Sequence, residues 1–353
     1  MIAAALALAM ATADPGFRQP RDEEGRFVNL DGPTPAGFGD FLRWQWERIG
    51  NGRPDGSAAP RVEPDLARIA RPPGPGEGAR ITWIGHSSFL VQLDGVSLLV
   101  DPVLSESVGP GGVVGRKVAP GLSLEQLPRI DAVLVSHDHY DHLDLPTLVQ
   151  VRAPVLAGLG MERLFQREKL LYAPMRWWQS HRVGGLTVTF VPSRHFSQRG
   201  LGDRNKTLWG GFVIQGGSAT LYHAGDTAYF SGFAEIGRRF PGIDVAMLPI
   251  GAYDPAWFME RVHVNPEQAA QAFEDLGART LVAMHWGTFR QTDEPLDEPP
   301  RRLEAERVSR GWPPERVRVL SVGETLEVRR PPDATAAAAG SRDPAAAGAA
   351  PDP

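Results

Sequence analysis

Cysteine is absent from all 353 residues. No disulfide can form and no thiolate can hold a metal, so any metal has to sit on His, Asp or Glu. Blocks of like charge are also missing. The formal net charge is -5, with both signs mixed along the chain, so neither a nucleic-acid surface nor an acidic tail is expected. No apolar run is long enough to span a bilayer. The run from Ile2 to Ala11 ends in Ala11-Thr12-Ala13, which resembles a signal-peptidase site, but no Lys or Arg precedes it. A weak secretory signal over 1–13, a misassigned start and a disordered Ala-rich end all fit that segment. The lack of cysteine suits cytoplasm and periplasm equally, and no sequence repeat of fixed period is present. Nothing in the pattern fixes the oligomeric state.

What is present is enough for a sizeable core: 42% of residues are hydrophobic, which allows one large or two small domains. Residues 14–49 are polar apart from an aromatic island, Phe38, Phe41, Leu42, Trp44, Trp46 and Ile49. Residues 51–78 are rich in Pro and Gly and read as a wrapping arm or linker with little regular structure. Residues 1–79 are therefore set apart from a domain over 80–330. The tail, 331–353, is mostly Ala, Pro, Gly and Asp and is expected to be disordered.

Within 80–330, short β-rich runs recur at 80–84, 89–93, 97–100, 132–135, 186–191, 209–214, 219–222, 245–248, 281–284 and 318–320. The clearest helix runs from Pro266 to Leu276, with Asn265 as N-cap and Gly277 as its stop. Ala269, Ala270, Phe273 and Leu276 form its apolar face. Many strands with interspersed helices argue for an α+β domain of two sheets with helices packed outside.

The decisive segment is Ala132-Val-Leu-Val-Ser-His-Asp-His-Tyr-Asp-His142. An apolar strand runs straight into ionisable residues. His137 and His139 are two apart, so extended backbone projects both imidazoles to one side, onto one metal. Asp141 and His142 follow as the chain turns and can face a second metal. A polar surface loop is the bland alternative, but the chain has only nine histidines and three fall within these few residues. Later strands end in His195, in His223-Ala-Gly-Asp226 and in His285. A lone His after a strand is more often a capped core residue. The repetition is what argues for a shared site.

The order His-x-His-x-Asp-His, then His, then Gly-Asp-Thr, then His at a strand end resembles the metallo-β-lactamase superfamily. It is most similar to the branch of N-acyl-phosphatidylethanolamine-hydrolysing phospholipase D and its bacterial relatives. Gly85-His86-Ser-Ser-Phe89, Asp101-Pro102, Asn205-Lys206-Thr-Leu-Trp209, the run from Leu248 to Phe258, Val262-His263-Val-Asn-Pro266 and Met284-His285-Trp-Gly-Thr-Phe289 carry the closer match. It covers about residues 80–300. One departure is Phe196 after His195, where many relatives have Trp. The resemblance implies a four-layer αββα sandwich. It implies His137, His139 and His195 on one zinc, Asp141, His142 and His285 on a second, and Asp226 bridging the two. Asp101 is implied as an acceptor that orients a ligand imidazole, although a turn residue before Pro102 is its bland reading. His86 fits a site-lining and a structural role equally. His263 is the best candidate for a substrate or leaving-group contact, and His181 and His223 have no such support. Tyr253, Trp257 and Phe258 read either as a wall of a substrate pocket or as packing against a sheet.

Two zinc ions about 3.5–4 Å apart can share a hydroxide that acts as nucleophile while both stabilise the developing charge. This suits phosphodiesters, esters, lactones and amides. The resemblance tips the substrate to a phosphodiester of an N-acylated ethanolamine phospholipid. A lactone or small ester is the alternative on the same fold. A non-catalytic metal-binding protein and a di-iron oxidoreductase are further readings, disfavoured because all seven ligand positions are filled and position 139 is His rather than Glu. The 38–49 segment reads either as a contact with a lipid surface or as a helix packed on the sandwich.

Overall fold

The computed structural model describes residues 14, 16–52 and 54–329. The expectations for 1–13 and 331–353 lie outside the described residues. Two seven-stranded sheets face each other. The first has the order β16 (Thr325–Val328), β1 (Ala79–Gly85), β2 (Ser88–Leu93), β3 (Val96–Val100), β6 (Ala132–Val135), β7 (Val155–Gly158) and β8 (Tyr172–Met175). The second runs β15 (Val317–Arg318), β14 (Thr280–Met284), β13 (Val245–Pro249), β12 (Thr220–His223), β11 (Gly211–Gln215), β10 (Leu186–Val191) and β9 (Gln179–Val183). A two-stranded hairpin, β4 (Ser107–Val108) and β5 (Val114–Gly115), stands apart.

Side-chain alternation explains the layering. In the first sheet Phe89, Val91, Leu98, Val100 and Leu134 point into the core shared with the second sheet. Their neighbours Leu90, Leu99, Val133 and Val135 point outward onto Leu148 and Phe165. These last two sit on helices α3 (Leu145–Val151) and α4 (Glu162–Arg167). Burial on both faces is why these strands read as continuous apolar runs. The parallel pairs require crossovers, and helices supply them. α5 (Gly232–Arg239) links β12 to β13, and α7 (Pro266–Leu276) links β13 to β14. α8 (Glu298–Ser309) links β14 to β15. The result is the expected helix–sheet–sheet–helix sandwich of the metallo-β-lactamase fold. α7 has the expected bounds, with Asn265 accepting from the Gln268 amide at 2.8 Å and Gly277 at φ 61°.

Six strands escaped the sequence reading: β7, β8, β9 and β16 of the two sheets, and β4 and β5 of the hairpin. β8 carries Pro174, tolerable because it lies at the sheet edge, and β9 is the opposite sheet's edge. Edge strands bury one side only and lose the apolar signature. The stretch 14–62 lies against the sandwich. Phe27 is fully buried, the Ala59 amide donates to the Gly287 carbonyl at 2.9 Å, and Arg61 bridges to Val322. α1 (Phe38–Asn51) spans the aromatic island, and α2 (Leu66–Ile69) is a one-turn helix in the Pro/Gly-rich stretch. α1 docks through Trp44, which is buried, stacks on Phe258 at 4.9 Å and donates to Asp293 at 2.6 Å. The apolar stripe does not pack: Phe38, Leu42, Trp46 and Ile49 are 68, 52, 78 and 81% exposed. Among the described residues no helix is long and apolar enough to cross a membrane.

Candidate metal centre

β1, β3 and β6 point the same way in the first sheet, and β10, β12 and β14 the same way in the second. Their carboxyl ends carry His86, Asp101, His137 to His142, His195, Asp226 and His285 to one rim. Three of these residues, His86, Asp101 and His285, hold left-handed backbone at φ 54°, 43° and 61°. Such geometry costs a non-glycine residue on the order of 1 kcal/mol or more and persists where the surroundings impose it. Gly225, at φ 60°, lets the turn from His223 to Asp226 pass Ser136. A Cβ there would lie 2.7 Å from the Ser136 Cβ and from the Gly210 carbonyl oxygen.

All seven expected ligands converge. His137, His139, His195 and Asp226 form one group able to hold a cation, and His86, Asp141, His142 and His285 form a second. Asp226 Oδ2 stands between them. It is 3.2 Å from Nε2 of both His142 and His285, 3.7 Å from His195 Nε2 and 3.8 Å from His137 Nε2. Asp141 Oδ2 is 3.7 Å from Nε2 of His142 and of His285. His139 Nδ1 lies 2.8 Å from His137 Nε2 and 3.2 Å from His195 Nε2. A tetrahedral ion with Zn–N bonds of about 2.05 Å spaces its ligands by about 3.3 Å, so these nitrogens are gathered at close to ligand spacing.

The far side of three of the rings is tied down. His142 Nδ1 meets Asp101 Oδ2 at 2.8 Å, His195 Nδ1 meets the Val262 carbonyl at 2.8 Å, and His137 Nδ1 meets Ser136 Oγ at 2.9 Å. Asp101 also accepts from the Ser136 amide and hydroxyl, both at 2.7 Å. Anchoring one nitrogen leaves the other free toward the centre. Accordingly His142 Nε2, both ring nitrogens of His285, His263 Nδ1 and Asp226 Oδ1 are buried with no hydrogen-bond partner. Buried polar atoms are otherwise almost always satisfied. Imidazole nitrogens and carboxylate oxygens without thiolate form a donor set that suits zinc, so the residues present fit a pair of divalent cations.

Electrostatics agree with this fit. Burial lowers the pKa of His139 to about 4 and of His195 and His263 to about 3, and holds His137 well below its usual value. These rings are neutral at pH 7, the form that ligates. Burial opposes charge on Asp141 and Asp226, but the neighbouring imidazoles, His142 foremost, outweigh it and keep both ionised. Burial likewise opposes charge on His142 and His285. Asp226 and Asp141 override it, raising His285 to about 9 and His142 well above its usual value. The carboxylates thus draw positive charge inward. A divalent cation would replace these protons, so its uptake would release them.

Of the other candidates, His86 Nε2 meets Asp141 Oδ2 at 2.9 Å, and His263 Nδ1 lies 4.0 Å from Asp226 Oδ2. His223 Nε2 meets the Ser87 carbonyl at 3.0 Å, a structural contact. A cavity of about 330 Å³ opens over the centre, floored by His139, Asp141, Asp226, His263 and His285 and walled by Phe41, Trp44, Phe196, Phe258, Met259 and Val262. The aromatic wall expected of Tyr253, Trp257 and Phe258 is corrected to Phe258 alone. Tyr253 turns away to donate to Glu298 at 2.7 Å, and Trp257 lies under the Arg43 guanidinium at 4.3 Å. Two residues went unseen in the sequence. Gln291 donates to Asp141 Oδ2 at 2.8 Å. Asn29 clamps His195, donating to its carbonyl at 2.9 Å and accepting from its amide at 3.1 Å. Neither stands in a pattern that marks it, and Asn29 belongs to the arm.

The Beta-lactamase superfamily domain matches residues 97–286. An uncharacterized protein of Mycobacterium tuberculosis is 39% identical over 305 residues, covering 81% of this chain and 79% of that one. The N-acyl-phosphatidylethanolamine-hydrolyzing phospholipase D 1 of Caenorhabditis elegans is 34% identical over 230 residues, covering 60% of this chain and 65% of that one. The solved structure of a metallo hydrolase from Ignicoccus hospitalis superposes with a TM-score of 0.52 at 25% identity, covering 70% of this chain and 97% of that one. The chain belongs to the β-lactamase superfamily and is a metal-dependent hydrolase. Its place there is the branch that includes the N-acyl-phosphatidylethanolamine-hydrolysing phospholipases D.

Proposed function

We propose that the chain is a dinuclear zinc hydrolase that cleaves a phosphodiester, such as that of an N-acyl-phosphatidylethanolamine. The observation that carries the reading is the union of a seven-ligand centre with an apolar cavity lined by Phe41, Trp44, Phe196, Phe258 and Met259 directly above it. In this reading His137, His139 and His195 would hold one ion, Asp141, His142 and His285 the other, and Asp226 would serve both. Two such ions, when bound, would supply an activated water and Lewis acidity at the scissile oxygen. The protein's own part is positional. Asp101, Ser136 and the Val262 carbonyl fix the ring tautomers, and Gln291 and His86 fix Asp141. His263, neutral at pH 7 and 4.0 Å from Asp226, would offer a ring N–H as a hydrogen-bond donor to the departing oxygen. The aromatic wall excludes water and receives acyl chain.

The exposed stripe Phe38, Leu42, Trp46 and Ile49 flanks Phe41 and Trp44, so a lipid surface is its proposed partner. Trp suits such a boundary. The test is turnover by the purified, metal-quantified protein of N-acyl-phosphatidylethanolamine vesicles beside a panel of lactones and small esters. Release of an N-acylethanolamine and phosphatidic acid supports the reading. Turnover confined to lactones or esters overturns the phosphodiester.

A further inference from the structure

A second groove of about 450 Å³ lies between α1 and the β4–β5 hairpin, floored by Arg290 and Gln291. Phe41, Trp44, Val114 and Gln291 line both this groove and the cavity over the metal centre, so the two spaces are adjacent. Their chemistry differs. The groove is lined by three cations, Arg48, Lys117 and Arg290, and by no carboxylate. Arg48 is already committed, with its Nε 2.6 Å from Asp293 Oδ1 and its Nη2 donating to the Gln291 carbonyl. The other two are available. Among the described residues Lys117 has no side-chain ion pair or hydrogen bond. Among the described residues Arg290 reaches only the fully exposed Asp55 at 3.6 Å, and its Nε is buried with no hydrogen-bond partner. A buried guanidinium nitrogen left unsatisfied is uncommon and asks for an acceptor.

We infer that this groove is a second-anion subsite: it receives a carboxylate or phosphate borne by the substrate itself, at a distance from the bond cleaved at the metal centre. Arg290 and Lys117 recognise that group. Phe41 and Trp44 cover the apolar stretch that joins it to the scissile bond, and Gln291 stands between the two sites, donating to Asp141 from the wall they share. The inference rests on the reading that phosphodiester hydrolysis takes place at the centre above, and it selects within that class a diester carrying a second anion, which N-acyl-phosphatidylethanolamine lacks.

The test uses 4-nitrophenyl alkyl phosphates of four to twelve carbons and their ω-carboxylate counterparts, on the metal-loaded protein. In wild type the carboxylate lowers KM about tenfold at the chain length that fits, with kcat little changed, as two partly exposed charge contacts would give. The Lys117→Ala, Arg290→Ala double variant loses that preference, and its bound metal is unchanged. Binding of the same pairs, followed by tryptophan fluorescence, reads the subsite separately from turnover. No cleavage with the preference intact in binding would sink the hydrolytic reading and keep the subsite. Equal binding of each pair by wild type at every chain length would overturn the subsite. So would loss of affinity for phosphatidylglycerol vesicles in the double variant with no change toward the soluble pairs, because the groove would then be a membrane headgroup contact.

Discussion

Asp101→Asn changes one buried oxygen for a nitrogen and nothing in shape. Asp101 has no exposed surface and accepts three hydrogen bonds: the Ser136 amide on Oδ1, and the Ser136 hydroxyl and the His142 ring on Oδ2, all at 2.7–2.8 Å. An asparagine supplies one acceptor oxygen, so in either orientation its NH₂ faces a donor. Leaving a buried donor unmet costs about 1–3 kcal/mol. If the amide nitrogen faces His142, the ring satisfies it only by accepting at Nδ1, which moves its proton to Nε2, the nitrogen turned toward Asp226. Removing such an outer partner typically weakens metal affinity about 10–100-fold. The expected result is one ion weakened in competition with a graded chelator, the other nearly unchanged, and a melting temperature lowered by a few degrees. Equal affinity for both ions in wild type and variant would refute the reasoning, because His142 would then need no orienting acceptor.

Further outcomes follow from neighbouring geometry. Asn29→Ala removes the two bonds that clamp His195 and one from Trp209, and should loosen the ion on His137, His139 and His195 about tenfold; unchanged chelator competition would count against a role for the arm. Glu294 is half-buried, and its desolvation outweighs its bonds from Ala252, Thr292 and Asp254 to raise its pKa. A carboxyl whose folded pKa is raised contributes stability below its unfolded pKa and loses it as pH rises through the folded one. Denaturant unfolding from pH 4 to 7 should therefore show wild type losing ground to Glu294→Gln as pH rises, and a constant difference would contradict the shift. Leu42→Asp with Trp46→Asp should weaken vesicle binding while sparing metal content and turnover of a soluble phosphodiester. A fall in all three would make the stripe merely structural. Deleting residues 1–50 would be less discriminating, since it also removes Asn29 and Trp44.

The ligands were legible because strand chemistry and metal chemistry leave separate marks. An apolar strand read as Ala132 to Val135 ends in His137, His139, Asp141 and His142, and the structure keeps those neighbours on one rim. α7 was equally plain, since Asn265, Pro266 and Gly277 each act locally. The edge strands β8 and β9 were not, because half-burial and Pro174 erase the apolar run. The roles of Asn29, Gln291 and Phe258 depend on contacts between segments far apart in sequence. No local pattern announces that Tyr253 turns to Glu298 while Phe258 meets Trp44. The aromatic island did predict a helix, but its buried residue is Trp44, and the apolar stripe faces outward.

The central claim is that Asp226 joins two cations into one hydrolytic centre. The most direct measurement is metal stoichiometry by mass spectrometry on stripped and reloaded protein, with phosphodiester turnover followed alongside, for wild type and Asp226→Ala. Wild type should bind two ions per chain and recover activity only as the second is filled. Asp226→Ala should lose at least one ion, because a bridging carboxylate offsets the repulsion between the cations, and turnover should fall by several orders of magnitude. An Asp226→Ala protein that keeps two ions and near-full turnover would contradict the account.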